Sequence, residues 1–105
     1  MNFMNNIINA SPNVSVITKI EVLGFNGPKE YQNLLVNFIN DINVLDLSDT
    51  IVEICIALRR KYKTKLPDAI IAATAIANNF TLISRNFSDF EKIQELRVLD
   101  VYSLA

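Results

Sequence analysis

Three acidic side chains, Glu21, Asp68 and Asp89, have the types and positions that could carry out chemistry in this chain. Asp68 is the most unusual, because it lies at the front of the almost uninterrupted apolar run "LPDAIIAATAIANNFTLISRN" (66–86). A carboxylate on a helix face otherwise suited to burial must be capped, paired or bound to a metal ion. Clustered carboxylates repel one another, and hard, oxygen-preferring Mg²⁺ or Mn²⁺ relieves that repulsion. The three acids are therefore candidates for a divalent-metal site.

Each acid also has a purely structural interpretation. Residues 18–21 (Thr-Lys-Ile-Glu) and 88–91 (Ser-Asp-Phe-Glu) match the capping box, in which a hydroxyl and a carboxylate bind the first free N–H groups of a helix. Asp68 in a first helical turn would complement the helix dipole. Capping explains each acid taken singly, whereas the three taken together favour a metal site.

The composition excludes several other kinds of catalysis. The chain has no histidine, which rules out histidine acid–base chemistry, Ser-His-Asp triads and histidine zinc sites. Its single cysteine, Cys55, lies among apolar residues and is predicted to be a core residue rather than a nucleophile. A single cysteine argues against a disulfide-stapled secreted protein, and no apolar run approaches the length of a membrane span. We expect a cytoplasmic protein without a membrane partner.

Length and charge set the scale of the molecule. The 105 residues, half of them hydrophobic, suffice for one compact domain over 1–105. Ten basic and 11 acidic residues give a net charge of −1, so no general positive field marks the chain as a nucleic-acid binder. Any nucleic-acid binding would depend on a local basic patch.

Strands and helices are predicted to alternate along the chain. The predicted strands are 14–17, 43–47, 81–84 and 97–102. The predicted helices are 3–10, 18–25, 28–40, 48–62, 67–78 and 88–96, with Ser48 as an N-cap. This alternation implies a parallel sheet covered on both faces, in which ligands bind beyond the carboxyl ends of the strands. Glu21 and Asp89 follow predicted strands, and Asp68 opens the helix that leads into one.

Three stretches resemble the PIN-domain nucleases: "SVITKIEVLGF" (15–25), "LPDAIIAATAIANNFTLISRNFSDFEKI" (66–93) and "LRVLDV" (96–101). The chain looks most like the VapC-type toxins of bacterial toxin–antitoxin modules, and the likeness covers about residues 3–105. The resemblance implies a three-layer α/β/α fold with a short, mainly parallel sheet. It also implies a metal-dependent endoribonuclease whose partners are an RNA substrate, a cognate antitoxin and a second copy of the chain.

The resemblance further implies roles for individual residues. The catalytic metal ligands for Mg²⁺ or Mn²⁺ would be Glu21, Asp68 and Asp89. Accessory polar contacts would come from Ser84 and Asn86. The expected phosphate contacts are Arg85, Arg59 and Arg60. The two last belong to a basic cluster over 59–65, for which a solvated helix end is an equally good explanation.

One departure from the family pattern concerns the start of the chain. Family members normally begin with a central strand that ends in an Asp-Thr-Asn-like motif and supplies the first metal ligand. This chain begins "MNFMNN", so the resemblance implies a single PIN-like domain that lacks this strand. The sheet would then have to close the gap, borrow a strand from a second copy or expose two edges. We therefore expect a dimer, helped by the apolar surface of the first two helices.

Two alternative functions follow from the same residues. A PIN domain without its first acid could be catalytically impaired and act only as an antitoxin-binding or dimerising module. A receiver-like phosphoacceptor domain also places acids at strand ends. That class would need an acidic pair after an early strand and a lysine after a late one, and here Arg85 and Asn86 occupy the late turn.

Overall fold

The computed structural model describes residues 7–8, 13–84 and 86–100. The strands are β1 (Ile7–Ile8), β2 (Asn13–Ser15), β3 (Asn43–Leu45), β4 (Leu82–Ser84) and β5 (Val98–Asp100). The helices are α1 (Val16–Leu23), α2 (Lys29–Asn40), α3 (Asp49–Lys61), α4 (Leu66–Ala77) and α5 (Phe87–Phe90). Within this part of the chain, no helix is long and apolar enough to cross a bilayer.

Local signals set the ends of the main helices. Ser48 caps α3, since its hydroxyl accepts a hydrogen bond from the Ile51 N–H at 3.2 Å, which confirms the predicted cap. Helix α4 carries Pro67 in its first turn, where a backbone N–H has no helical partner to lose. Helix α1 ends at Gly24, where an added Cβ would lie only 2.8 Å from the Ile20 carbonyl oxygen. Three of the predicted helices therefore begin or end within two residues of their sequence signals.

The five strands form one sheet in the order β3-β2-β1-β4-β5. Strands β2 and β3 are parallel, as are β4 and β5, while β1 is antiparallel to both of its neighbours. Strands β2 to β5 therefore all run in one direction, and their carboxyl ends share one edge of the sheet. This arrangement confirms the predicted α/β fold with a short, mainly parallel sheet.

Strand β1 is the main departure from the predicted elements. Ile7 and Ile8 lie in a strand between β2 and β4, so the prediction of a helix over 3–10 is wrong for these two residues. The rest of that predicted helix, like the end of the last predicted strand, lies outside the described residues. Only four residues separate β1 from β2, and so short a connection joins antiparallel strands, because a parallel pair needs a crossover. Residues 7–8 thus occupy the position at which a gap in the sheet was expected.

The core is built around α4. Its buried side chains are Ala69, Ile71, Ala72, Ala73, Thr74 and Ala75. Helix α3 packs on it through Ile51, Cys55 and Leu58, which repeat at helical spacing. Cys55 is a core residue, as predicted, and burial raises the pKa of its thiol. The short alanine side chains let neighbouring elements approach α4 closely.

Helix α5 is shorter than the helix predicted over 88–96. Beyond its last residue, the Ile93 N–H donates to the Phe90 carbonyl and the Leu96 N–H to the Ile93 carbonyl. These are successive tight turns, and all three side chains are buried. The three-residue apolar spacing that predicted a helix therefore belongs to a chain of turns that packs the same side chains inward.

Candidate functional site

A small cavity of about 120 Å³ lies where the first turn of α4 meets α5. We call it the acid cavity. Its lining residues are Lys63, Thr64, Lys65, Asp68, Asp89 and Lys92. Two predicted site residues, Asp68 and Asp89, are thus brought together although 20 residues separate them in the sequence. The cavity also contains cations that the sequence did not mark as part of the same site.

Three separate segments position these side chains. Asp68 lies in the first turn of α4, and Asp89 lies within α5. The ammonium of Lys92 donates a hydrogen bond to the carbonyl of Lys63, across 29 residues of sequence. This contact ties the turn after α5 to the connection between α3 and α4, so it holds two walls of the cavity together.

Asp68 is only partly exposed, and its surroundings oppose its ionisation. Burial raises the pKa of Asp68 above its ordinary value of 3.8, and the negative charge of Asp89 raises it further. The ammonium groups of Lys65 and Lys92 act in the opposite direction. The charged form of Asp68 is therefore destabilised, and a cation bound beside it would stabilise that form.

Glu21 approaches the same neighbourhood from α1. Its side chain is largely exposed and does not line the acid cavity. Partial burial raises the pKa of Glu21, and the charge of Asp68 raises it further. Asp68 therefore interacts electrostatically with both of the other predicted acids.

The donor chemistry at the acid cavity fits a hard divalent cation, since both acids there offer carboxylate oxygens. Among residues 7–8, 13–84 and 86–100, however, no group of three or more His, Cys, Asp or Glu side chains is arranged to hold a metal ion. Mg²⁺ usually keeps several waters and binds proteins through only one or two carboxylates. The pair of Asp68 and Asp89 matches that limited requirement, and the set of three acidic ligands stays a prediction.

The capping interpretations of Glu21 and Asp89 are wrong. The N-cap of α1 is Ser15, whose hydroxyl accepts from the Thr18 N–H at 3.3 Å, so residues 18–21 are not a capping box. The N-cap of α5 is Asn86, which makes no side-chain capping bond, and Ser88 lies inside the helix. Capping explains neither acid, whereas Asp68 does lie in a first helical turn, as the dipole interpretation requires.

The predicted accessory residues lie at the end of β4. Ser84 is buried, and its hydroxyl accepts a hydrogen bond from the Asn86 N–H at 3.0 Å. This bond shapes the turn that leads into α5 and so helps to place Asp89. Asn86 itself is exposed. Arg85, the predicted phosphate contact between them, lies outside the described residues.

The basic cluster over 59–65 is divided by the fold. Arg59 and Arg60 line a second, larger cavity of about 540 Å³. We call it the apolar groove, and its other lining residues are Leu47, Val52, Cys55, Ile56, Leu66 and Ile70. Lys61 forms an ion pair with Glu95 at 3.2 Å. Only Lys63 and Lys65 reach the acid cavity, so the two arginines proposed as phosphate contacts lie away from the acids there.

Lys92 is the cavity residue that sequence reasoning missed. It follows Asp89 by three residues, a spacing that brings side chains together in a helical turn. That spacing could have identified Lys92 from the sequence, because an acid and a lysine one turn apart at a candidate site can contact the same ligand.

Thr18 adds a polar atom one helical turn before Glu21 on α1. Its side chain is buried, and its Oγ1 has no hydrogen-bond partner within the described part of the chain. A buried hydroxyl without a partner costs about 1–3 kcal/mol, so this position favours a polar ligand or water.

The PIN domain family matches residues 13–96. This chain belongs to the PIN domain family. A chain in the structure of a toxin–antitoxin complex from Klebsiella pneumoniae is 40% identical, with a TM-score of 0.71, and the match covers 84% of this chain and 72% of that one. The predicted likeness to the PIN domains, a family of nucleases, is confirmed, and the chain is similar to one from a toxin–antitoxin complex.

Two less similar structures share the fold. VapBC bound to DNA, from Salmonella typhimurium, matches with 21% identity and a TM-score of 0.76 over 85% of this chain and 74% of that one. VapBC2 from Rickettsia felis, bound to a DNA fragment from their promoter, matches with 22% identity and a TM-score of 0.74 over 86% and 74%. No curated protein sequence matches significantly.

Proposed function

We propose that this PIN domain is the toxin of a toxin–antitoxin pair and acts as a cytoplasmic endoribonuclease that hydrolyses RNA phosphodiesters with Mg²⁺ or Mn²⁺. The observation that carries the proposal is the position of Asp68, which is partly buried, shares a cavity with Asp89 and is electrostatically coupled to Glu21. In a chain from a nuclease family, such a group of carboxylates supports metal-assisted hydrolysis.

The carboxylates of Asp68 and Asp89 would hold the divalent ion, with Glu21 as a further ligand. When bound, the ion supplies an acidified water and positive charge opposite the scissile phosphate, without any histidine. Ser84 positions the turn that carries Asp89, through the bond to the Asn86 N–H. The buried alanines of α4 pack the helix that carries Asp68 into the core.

Metal dependence is tested with purified protein and a pool of single-stranded RNA oligonucleotides. We expect cleavage with Mn²⁺ or Mg²⁺ and none with a chelator. The same ions should raise the thermal midpoint, because a ligand that binds only the folded state stabilises it. Cleavage that continues in the chelator would contradict the metal-assisted mechanism but not the ribonuclease activity.

A cognate antitoxin and a second copy of the chain are the proposed protein partners. The 40% identical chain comes from a toxin–antitoxin complex, which supports the first partner. Exposed apolar side chains on α1 and α2 support the second, and they include Ile20, Leu23, Leu34 and Val36. Sedimentation at micromolar concentration tests the dimer, and a clean monomer would contradict it. The antitoxin from the Klebsiella pneumoniae complex is a suitable first probe for the other partner.

A catalytically impaired domain that only binds its antitoxin is the second candidate. It is favoured by the finding that no three acids in the described residues are arranged to hold a metal ion. The two candidates differ in one measurement. A folded protein that binds antitoxin but cleaves no RNA with either ion would support the impaired domain and overturn the nuclease.

A further inference from the structure

We infer that Lys63, Lys65 and Lys92 form a phosphate subsite in the acid cavity, which binds a phosphate of the RNA strand beside the acids. We call these residues the lysine triad. The inference rests on the proposed ribonuclease function and deepens it, because it names the groups that hold the substrate at that same site.

The charge of the cavity is the first reason. Three lysines and two aspartates line it, which gives a formal charge of +1, whereas the whole chain carries −1. A chain without a general basic field can bind nucleic acid only through such a local patch. The lysine triad is that patch, and it lies directly beside Asp68 and Asp89.

The availability of the ammonium groups is the second reason. Lys65 and Lys92 act on Asp68 electrostatically, yet within the described residues the ion pair shorter than 4 Å is that of Lys61 with Glu95. The lysines of the triad therefore lie near the acids without being neutralised by direct contact. Lys92 uses one donor for the Lys63 carbonyl, and an ammonium has three donors. Two of its donors are left for an anion.

The size of the cavity is the third reason. A volume of about 120 Å³ is well below the roughly 300 Å³ at which pockets for whole small molecules begin. A space of this size suits a phosphate group rather than a whole nucleotide. Lysine is a common point-charge contact for phosphate, so the lining and the volume agree. The base and sugar of the same nucleotide would lie outside the cavity.

The subsite is tested by the binding of a fluorescein-labelled single-stranded RNA to the full chain, measured by anisotropy in a chelator at several salt concentrations. We expect Lys65→Gln and Lys92→Gln each to weaken binding about tenfold, the size of one lost charge-assisted hydrogen bond. Each should also reduce the slope of log K against log salt by about 0.7, the value for one phosphate contact on a single strand. Lys92→Arg should retain most of the binding.

Lys29→Gln is the matched control, because Lys29 is an exposed lysine at the start of α2, outside the cavity. It should leave affinity and salt slope unchanged. Lys65→Gln removes no hydrogen bond that the structure shows, so it reports on charge even if Lys92→Gln lowers the thermal midpoint. Inorganic phosphate should compete with the RNA. If the double variant Lys65→Gln/Lys92→Gln keeps both the affinity and the slope of the wild type, the inference is overturned. Competition by an acidic peptide but not by phosphate would also overturn it.

Cleavage with Mn²⁺ separates this inference from the proposed function. If the wild type cleaves, the lysine variants should raise KM and leave kcat nearly unchanged, because the lysine triad holds substrate rather than the reacting groups. An unchanged KM would overturn the subsite and leave the nuclease intact. If the wild type binds RNA in a manner that depends on the triad but cleaves nothing, the subsite is supported and the nuclease fails.

Discussion

The acid cavity and the apolar groove both adjoin the connection between α3 and α4, and they differ in size and in chemistry. The groove is more than four times larger and is lined by aliphatic side chains, with Arg59 and Arg60 as its charges. The acid cavity is small and is lined by five charged residues and one threonine. A large concave surface is a common first choice for an active site, yet here the acids lie in the smaller of these two. Charge, rather than volume, identifies the chemistry.

Helix α4 separates the two regions. Leu66 and Ile70, four residues apart, face the groove, while Asp68 between them reaches the acid cavity. The alanines on the remaining side fill the core. If the sequence of α4 were shifted by two residues, Asp68 would face the groove and an apolar side chain would face the acid cavity. The register of α4 therefore decides which cavity receives the carboxylate. We therefore expect substitutions on the acid-cavity side of α4 to change RNA cleavage, and substitutions on the groove side to leave it unchanged.

The largest expected effect follows from Asp68→Asn. It removes a proposed metal ligand and should lower the rate of RNA cleavage at least about 100-fold, since even residues that only support a metal ligand cost about 10–100-fold. It should also abolish any rise of the thermal midpoint with Mn²⁺. Asp49→Asn, in the first turn of α3, is the matched control and should cleave normally.

The corresponding change in the groove is Ile56→Ser. Ile56 is 43% exposed, so the variant should fold, bind RNA and cleave it as the wild type does. A gel assay of cleavage by the two variants tests the comparison directly. If Ile56→Ser loses activity and Asp68→Asn retains it, the roles of the two cavities have been reversed.

A smaller effect, on both cavities together, is expected from Ala72→Leu. Ala72 is completely buried in α4, and the larger side chain should lower the free energy of unfolding by about 1–3 kcal/mol through overpacking. Because α4 forms a wall of each cavity, RNA cleavage should fall as well. Denaturant unfolding measures the first change. Ala57→Leu, at an exposed position of α3, is the control, and an equal loss there would show that packing around α4 is not the cause.

Tyr62→Phe should act more weakly. Tyr62 lies at the start of the connection between α3 and α4. Its hydroxyl donates to the Glu95 carboxylate at 2.5 Å and accepts from the Gln94 N–H at 3.2 Å. Its loss should cost about 1 kcal/mol or less, because the site is exposed. The bond from Tyr62 lowers the pKa of Glu95, so titration of Glu95 by NMR should show a higher pKa in the variant. An unchanged Glu95 titration would mean that this bond does not persist in solution.

The smallest effect is the pH dependence of stability in a chelator. The pKa of Asp68 is raised in the folded state, so the folded protein binds its proton more tightly than the unfolded chain does. Stability from this group is fully present below its ordinary pKa of 3.8 and is lost as the pH rises through the folded value. Asp68→Asn lacks this loss. The thermal midpoint of the variant minus that of the wild type should therefore increase as the pH rises. The increase should be small, because Asp68 is partly solvated. A decrease of this difference with rising pH would contradict the raised pKa of Asp68.

Local sequence patterns predicted most elements because they depend on neighbours along the chain. The Ser48 cap, the burial of Cys55 and the apolar face of α3 follow from the preferences of a few consecutive residues. The same patterns failed where one spacing of apolar residues is compatible with two different structures. Apolar residues three apart after Asp89 fit a helix, but successive tight turns bury them equally well. The strand at Ile7–Ile8 was missed because its pairing with β2 and β4 is not visible in so short a segment.

The sequence by itself determined the chemistry available to this protein, namely carboxylates without histidine, and the PIN likeness that suggests what they do. Only the tertiary structure decided which charges meet. It divided the basic cluster between the groove, an ion pair and the acid cavity, and it brought Lys92 beside Asp68. The physical reason is the range of the interactions. Helix and turn preferences act over about four residues, whereas the contact from Lys92 to Lys63 spans 29 residues and requires the folded chain.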